Sequence, residues 1–290
     1  MKNENVWKKY GEKELKELHE INERYKNCLN LGKTERECVK LTIEMAKEAG
    51  YRDVKEVLAE GKPLACGDKV YANCMGKAIA LFRMGEEPIS NGMNILGAHI
   101  DSPRLDIKQN PLYENEEFGY LDTHYYGGIK KYQWVAGPMA LPGLVAKKDG
   151  TVIDIAIGEK DDDPVLVITD LLVHLAKQQL EKQARVVIEG EKLDVLVGNR
   201  PLANAEESEK EAIKANLLQI LKETYGMEEA DFASAELELV PAGKARDCGL
   251  DRSMILSYGQ DDRVCAFTSL FAMLEVEHTK RTSCCLHVDK

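Results

Sequence analysis

No Cys-x-x-Cys pair occurs among the eight cysteines, Cys28, Cys38, Cys66, Cys74, Cys248, Cys265, Cys284 and Cys285. Neither a zinc ribbon nor a thioredoxin-type redox motif is therefore supported. No Gly-x-Gly-x-x-Gly or Walker pattern is present, which removes the common nucleotide-binding loops. No Gly-x-Ser-x-Gly elbow is present either. The six histidines contain no His-x-His, the pair a single-metal amidohydrolase would need. The longest apolar runs, such as Val152–Ile157 and Val165–Ile168, have the length of a strand, far short of the roughly 20 residues that span a bilayer. The chain opens Met1-Lys2-Asn3-Glu4-Asn5, without the apolar core of a signal peptide. Cytoplasm, with reduced and mostly buried thiols, is the expected setting. Internal repeats and low-complexity segments are also lacking.

What is there is an ordinary globular composition: 290 residues, 44% hydrophobic and 31% charged, with a formal net charge of −11. That length suits one large domain or two medium ones. The negative balance argues against nucleic acid or an anionic membrane as a partner, since both are negative too.

Residues 12–30 carry Leu15, Leu18, Ile21 and Tyr25 at helical spacing. A second helix is expected after Thr34, where Thr34 and Glu37 form a capping-box pattern ahead of Val39, Leu41, Ile43 and Met45, with Gly50 as its stop. Lys69–Tyr71 and Ala78–Phe82 read as strands of one sheet, and Asn94–Ile100 as an apolar strand ended by Ser102-Pro103. The texture then changes. Residues 106–245 alternate short β segments with turns, at Tyr125–Trp134, Gly143–Lys147, Val152–Ile157, Val165–Ile168, Ala184–Ile188 and Glu236–Pro241, with one helix near Ala205–Tyr225. After residue 246 an α/β texture returns: a strand at Met254–Tyr258, a turn at Gly259, a helix striped by Val264, Phe267, Leu270, Phe271 and Leu274, and a strand at Thr282–Val288. The chain thus divides into 1–105, 106–245 and 246–290, an α/β domain interrupted by a β-rich insert.

Three short segments could carry chemistry. In Gly97-Ala98-His99-Ile100-Asp101-Ser102-Pro103, residues i and i+2 of a strand share a face, so His99 and Asp101 project together from its C-terminal end. A histidine there can ligate a metal through one ring nitrogen while a carboxylate fixes the other. The plainer alternative is a hydrogen-bonded histidine beside a turn. In Gly259-Gln260-Asp261-Asp262-Arg263, Asp261 either caps the following helix or bridges two metals roughly 3.5–4 Å apart. His174, within Asp170–Leu175, is flanked by apolar residues, which fits a satisfied core histidine as well as a functional one.

Taken together and in order, these segments resemble the aspartyl aminopeptidase / aminopeptidase I family of two-zinc aminopeptidases. Gly97–Pro103 is similar to that family's first metal motif, and Tyr126-Gly127-Gly128 with Ile129 and Trp134 to the segment opening its inserted dimerisation domain. Asp170–Leu175 resembles the segment that lends a histidine to a neighbouring subunit. Gly259–Phe267 resembles the bridging-aspartate motif, and His287-Val288-Asp289-Lys290 the strand leading into paired glutamates. The resemblance implies a zinc-exopeptidase-like mixed sheet with flanking helices. It implies His99 and Asp261 as metal ligands, with Asp262 open as the bridging residue in place of Asp261. Asp101 would orient His99, and His174 would stabilise the tetrahedral intermediate in a partner's site. Two zinc ions, with manganese or cobalt as substitutes, peptide substrates with a free N-terminus and dimers assembling into a dodecamer follow in the same way. Two glutamates, an aspartate and a histidine of the family pattern would lie beyond Lys290, so the chain is expected to be C-terminally truncated and inactive alone, with an uncovered sheet edge around Cys284–Val288. The alternative is a non-catalytic remnant or assembly subunit. If the metal reading holds, the nearest side-chain atoms of His99 and Asp261 should lie within roughly 5 Å of each other.

Overall fold

The structure, a computed structural model, describes residues 4–203 and 210–289. The chain forms two compact units, Met1–Ser102 with Lys244–Lys290, and Pro103–Gly243.

The first unit begins with helices α1 (Glu12–Leu31) and α2 (Glu35–Glu48). The capping box at the start of α2 forms: Glu37 N–H donates to Thr34 Oγ1, and Thr34 N–H donates to Glu37 Oε2. Gly50 follows the helix at φ +85°, a value glycine adopts without steric cost. The buried face of α1 is Tyr25, Cys28 and Leu29. Leu15 and Ile21, expected on that face, are exposed.

Next come β1 (Arg52–Asp53), α3 (Val54–Ala59), β2 (Lys69–Cys74), β3 (Ala78–Arg83) and β4 (Asn94–His99). Strands β5 to β11 and helices α4 and α5 belong to the second unit. After them the chain adds a small ribbon of β12 (Arg246–Cys248) and β13 (Met254–Leu256), then α6 (Gln260–Glu275) and β14 (Ser283–Val288). The sheet runs β1-β2-β3-β14-β4 and is mixed: β14 lies antiparallel to β3 and parallel to β4, with Val288 opposite His99. Cys284–Val288 is therefore an interior strand, not the uncovered edge anticipated. The edge strands are β1 and β4, and on β4 Ile95 and Leu96 are exposed. Phe267, Leu270 and Phe271 of α6 join Leu29, Val39, Ile79, Leu81 and Ile100 in the core. Val264, expected on the same stripe, faces outward, and Ala266 and Met273 are buried in addition.

The second unit is built on the hairpin of β5 (Arg104–Asn115) and β6 (Phe118–Tyr126). It continues through β7 (Pro138–Ala146), β8 (Val152–Ile157), β9 (Leu166–Val167), the single turn α4 (Lys177–Leu180), β10 (Val195–Gly198), α5 (Ala212–Tyr225) and β11 (Ala235–Pro241). The order β11-β5-β6-β10-β9-β7 closes on itself because β7 also pairs with β11, and β8 pairs with the rest of the β7 edge that β9 meets. Closure removes the two free edges. It needs Gly143 at φ +152°, where a Cβ would collide with the backbone of Glu236. The interior is apolar, with Leu105, Val145, Leu193, Val195 and Leu239 fully buried. An apolar cavity of about 520 Å³ lies between sheet residues such as Leu112, Leu121 and Ile155 and α5 residues such as Leu217 and Leu221.

Two segments expected as strands are not. The chain after Tyr126 forms a short 3₁₀ turn at Lys131–Gln133, and Ala184–Ile188 has no ladder partners. Of the helix expected near Ala205–Tyr225, residues 204–209 lie outside the described residues.

Candidate metal centre

His99 is the last residue of β4, and Ile100, Asp101 and Ser102 carry the chain off the sheet. The His99 ring is pinned on one side. Its Nδ1 lies 3.1 Å from the Asp101 carbonyl oxygen and 3.2 Å from Asp101 Oδ1. Both are acceptors, so Nδ1 carries the proton and donates, which leaves the Nε2 lone pair free. Asp101 is buried and acts on His99 from behind.

Asp261 arrives from the far side of the sequence. Gly259 turns at φ +76°, and Asp261 (φ −93°, ψ 113°) and Asp262 (φ −113°, ψ 25°) are not helical, so regular α6 begins after them. The Asp261–Asp262 peptide is cis. The backbone thus presents Asp261 just ahead of the helix. Asp262 turns away to hydrogen-bond with the Cys265 thiol, which, together with the negative charge of both aspartates, pushes that thiol up. Asp261 Oδ1 ends 3.4 Å from His99 Nε2. The carboxylate of Asp261 is 94% exposed, against 27% for His99 and 6% for Asp101.

These distances have a simple chemical meaning. With its proton on Nδ1, His99 offers a lone pair at Nε2 directly opposite a carboxylate oxygen. Two acceptors facing each other repel unless a metal ion, or a second proton on the imidazole, stands between them. Two ligand atoms about 2.0–2.1 Å from a tetrahedral zinc ion are themselves about 3.4 Å apart. The residues present therefore fit a divalent metal held by His99 Nε2 and Asp261, with Asp101 fixing the tautomer.

The chain is similar to known proteins along nearly its whole length. Residues 28–290 match the family described as aminopeptidase I zinc metalloprotease (M18). The chain belongs to that family. A probable M18 family aminopeptidase 1 of Clostridium acetobutylicum is 55% identical over 286 residues, covering 99% of this chain and 61% of the relative. The crystal structure of an M18 aminopeptidase from Thermotoga maritima superposes with a TM-score of 0.91 at 41% identity, covering 100% of this chain and 61% of that one. For aminopeptidase I of C. acetobutylicum the TM-score is 0.90 at 52% identity, covering 100% and 63%. The yeast mApe1 dodecamer shares the fold alone, at 19% identity and a TM-score of 0.69. This chain spans about 61% of the length of the curated relative. Membership makes this M18 chain one of a family of zinc metalloproteases.

His174 sits elsewhere, in the second unit. It is exposed rather than set in a core, which does not fit the alternative of a satisfied core histidine. Its neighbours Leu171, Leu172, Val173 and Leu175 are exposed as well, up to 71% for Leu172. Among the described residues, no helix is long and apolar enough to cross a membrane.

The sequence reading missed the residues that hold the two ligand segments. Ser102 Oγ donates to the Asp261 carbonyl at 3.0 Å, and Arg263 Nε to the Ile100 carbonyl at 3.1 Å. Tyr25 Oη donates to Gln260 Oε1 at 2.5 Å. No local signal marked them: Arg263 follows Gln260, Asp261 and Asp262 in a polar helix start.

Proposed function

We propose that His99 and Asp261 belong to the metal centre of a metal-dependent aminopeptidase that removes N-terminal residues from peptides. The acceptor-to-acceptor approach of His99 Nε2 and Asp261 Oδ1 carries this reading. A divalent ion bound there would polarise the scissile carbonyl and lower the pKa of a water. His99 binds through Nε2, Asp261 supplies an exposed carboxylate able to bridge, and Asp101 keeps the His99 proton on Nδ1. A zinc ion takes about four ligands, so the other positions fall to water, substrate and further donors. Zinc is the metal of the family, and manganese and cobalt are the substitutes to try.

The same reading extends to assembly. An exposed run of Leu171, Leu172, Val173 and Leu175 around His174 is the kind of surface that a second copy covers. In this proposal residues 106–245 mediate homo-oligomerisation, dimers building towards a dodecamer, and His174 acts in the site of a neighbouring subunit.

The test is activity of the full-length protein on aminoacyl chromogenic substrates with added zinc, manganese or cobalt. Asp261→Ala should lower turnover by about 10²–10³-fold without loss of fold, because its side chain is exposed. Mixing Asp261→Ala with His174→Ala subunits should restore part of the activity. Full activity of Asp261→Ala would end the metal reading, and full activity of His174→Ala alone would end the sharing of sites.

A further inference from the structure

Arg263 has no place in the chemistry above, yet its side chain is fully buried. Its Nε donates to the carbonyl oxygen of Ile100, the residue between His99 and Asp101. Its Nη2 donates at 2.6 Å to the carbonyl of Lys33, in the turn between α1 and α2. The Cys38 thiol is hydrogen-bonded to it as well, and its guanidinium carbon lies 5.3 Å from the centre of the Tyr258 ring. Gly259 leaves the room it needs, since a Cβ there would collide with Nη1. Taking a guanidinium out of water is costly, and hydrophobic residues elsewhere in α6 meet the core without that cost.

The location of these bonds shows what they do. Arg263 lies two residues past Asp261 and reaches the backbone one residue past His99. Ser102 runs the opposite way, from three residues past His99 to the carbonyl of Asp261 itself. Two short segments, far apart in sequence, are thus tied backbone to side chain in both directions. Asp261 needs such a tie because solvent surrounds its carboxylate, and no packing of its own holds it.

We infer that Arg263 and Ser102 form a positioning brace that sets the spacing between His99 Nε2 and Asp261 Oδ1 and so tunes metal affinity. This rests on the metal reading of His99 and Asp261. Neither brace residue touches the ion or the substrate. Their effect is on the geometry into which a metal binds, and removing partners of this kind typically costs about 10–100-fold in metal affinity.

The experiment is cobalt titration of metal-free full-length protein, followed by visible absorption, for the wild type, Asp261→Ala, Arg263→Lys and Ser102→Ala. Thermal unfolding of the metal-free forms is measured alongside. Arg263→Lys keeps the charge but loses the fork, and should bind cobalt about 10–100-fold more weakly, with an altered ligand-field band. Ser102→Ala loses one hydrogen bond and should weaken binding by about 2–10-fold. Folded Arg263→Lys or Ser102→Ala with wild-type affinity and spectrum would overturn the brace, even if its melting temperature fell. If Arg263→Lys does not fold, Ser102→Ala decides alone by the same criterion. A wild type that binds cobalt no better than Asp261→Ala would instead sink the metal reading on which the brace rests.

Discussion

The two units spend their buried polar groups differently. In the first, Asp101, Ser102, Arg263, Lys33, Thr34, Glu35, Thr42 and His287 are all buried, and several of them hold the chain near His99 and Asp261. In the second, the buried polar groups among the described residues are Arg104, Thr123 and Glu238, and its cavity is lined without a charged side chain. Buried polar groups cost stability unless they are satisfied, so their concentration marks where geometry matters more than cohesion. The second unit inverts the pattern, with a largely apolar interior and apolar side chains exposed at Leu171, Leu172, Val173 and Leu175. In the proposed function, the first unit holds the metal ligands at fixed distances and the second meets a partner.

If that contrast is right, core damage should separate the units. Phe267→Ala empties a fully buried site in the first core. It should cost about 3–5 kcal/mol and abolish cobalt binding at temperatures where the wild type binds. Leu239→Ala, in the second core, should cost about 2–5 kcal/mol while leaving cobalt affinity in the folded protein unchanged. Urea unfolding and metal titration on the same samples measure both. Equal loss of metal binding in the two variants would break the division of labour.

A second prediction concerns acid. His287 Nε2 lies 3.0 Å from the Ala266 carbonyl, and Thr42 Oγ1 and Cys285 Sγ complete its surroundings. Burial pushes His287 down to about 4 from an ordinary 6.5. The unfolded chain therefore takes the proton first. Stability should fall as pH drops through that interval and level off below it, by roughly 3 kcal/mol at most. His287→Gln keeps a donor for Ala266 without titrating, so the acid slope in urea unfolding should flatten. An unchanged slope would show that other groups set the acid limb.

The smallest effect expected is on the surface of the second unit. Leu172→Asp should weaken self-association, seen as a shift to slower-sedimenting species. Unfolding midpoints should move by no more than about 0.5 kcal/mol, as for most exposed substitutions. Unchanged sedimentation would leave the exposed run without the role assigned to it.

How much of this was legible in the sequence depended on the physics at each place. The strand-end motif at His99 and the strand–turn–helix at Asp261 were readable because local periodicity and turn residues placed them. The capping box at Thr34 was readable for the same reason. The β5–β6 hairpin was not. Its turn puts Glu116 and Glu117 at positive φ, where Asn-Gly or Asp-Gly would have announced it. Nor was the order of the sheet, since β14 enters between β3 and β4 through pairing over long sequence distances. Of the strand expected at Tyr125–Trp134, Tyr125 and Tyr126 end β6 and the rest found no ladder. Arg263 stands in the polar segment Gln260-Asp261-Asp262-Arg263, and only the tertiary arrangement shows that its guanidinium is enclosed.

The central claim is that a metal ion sits between His99 and Asp261, and anomalous diffraction from zinc-loaded crystals measured above and below the zinc edge tests it most directly. The account predicts a peak about 2.0–2.2 Å from both His99 Nε2 and an Asp261 carboxylate oxygen, with Asp101 still accepting from Nδ1. A peak ligated by neither residue, or bound zinc with His99 Nε2 hydrogen-bonded to protein instead, would contradict it.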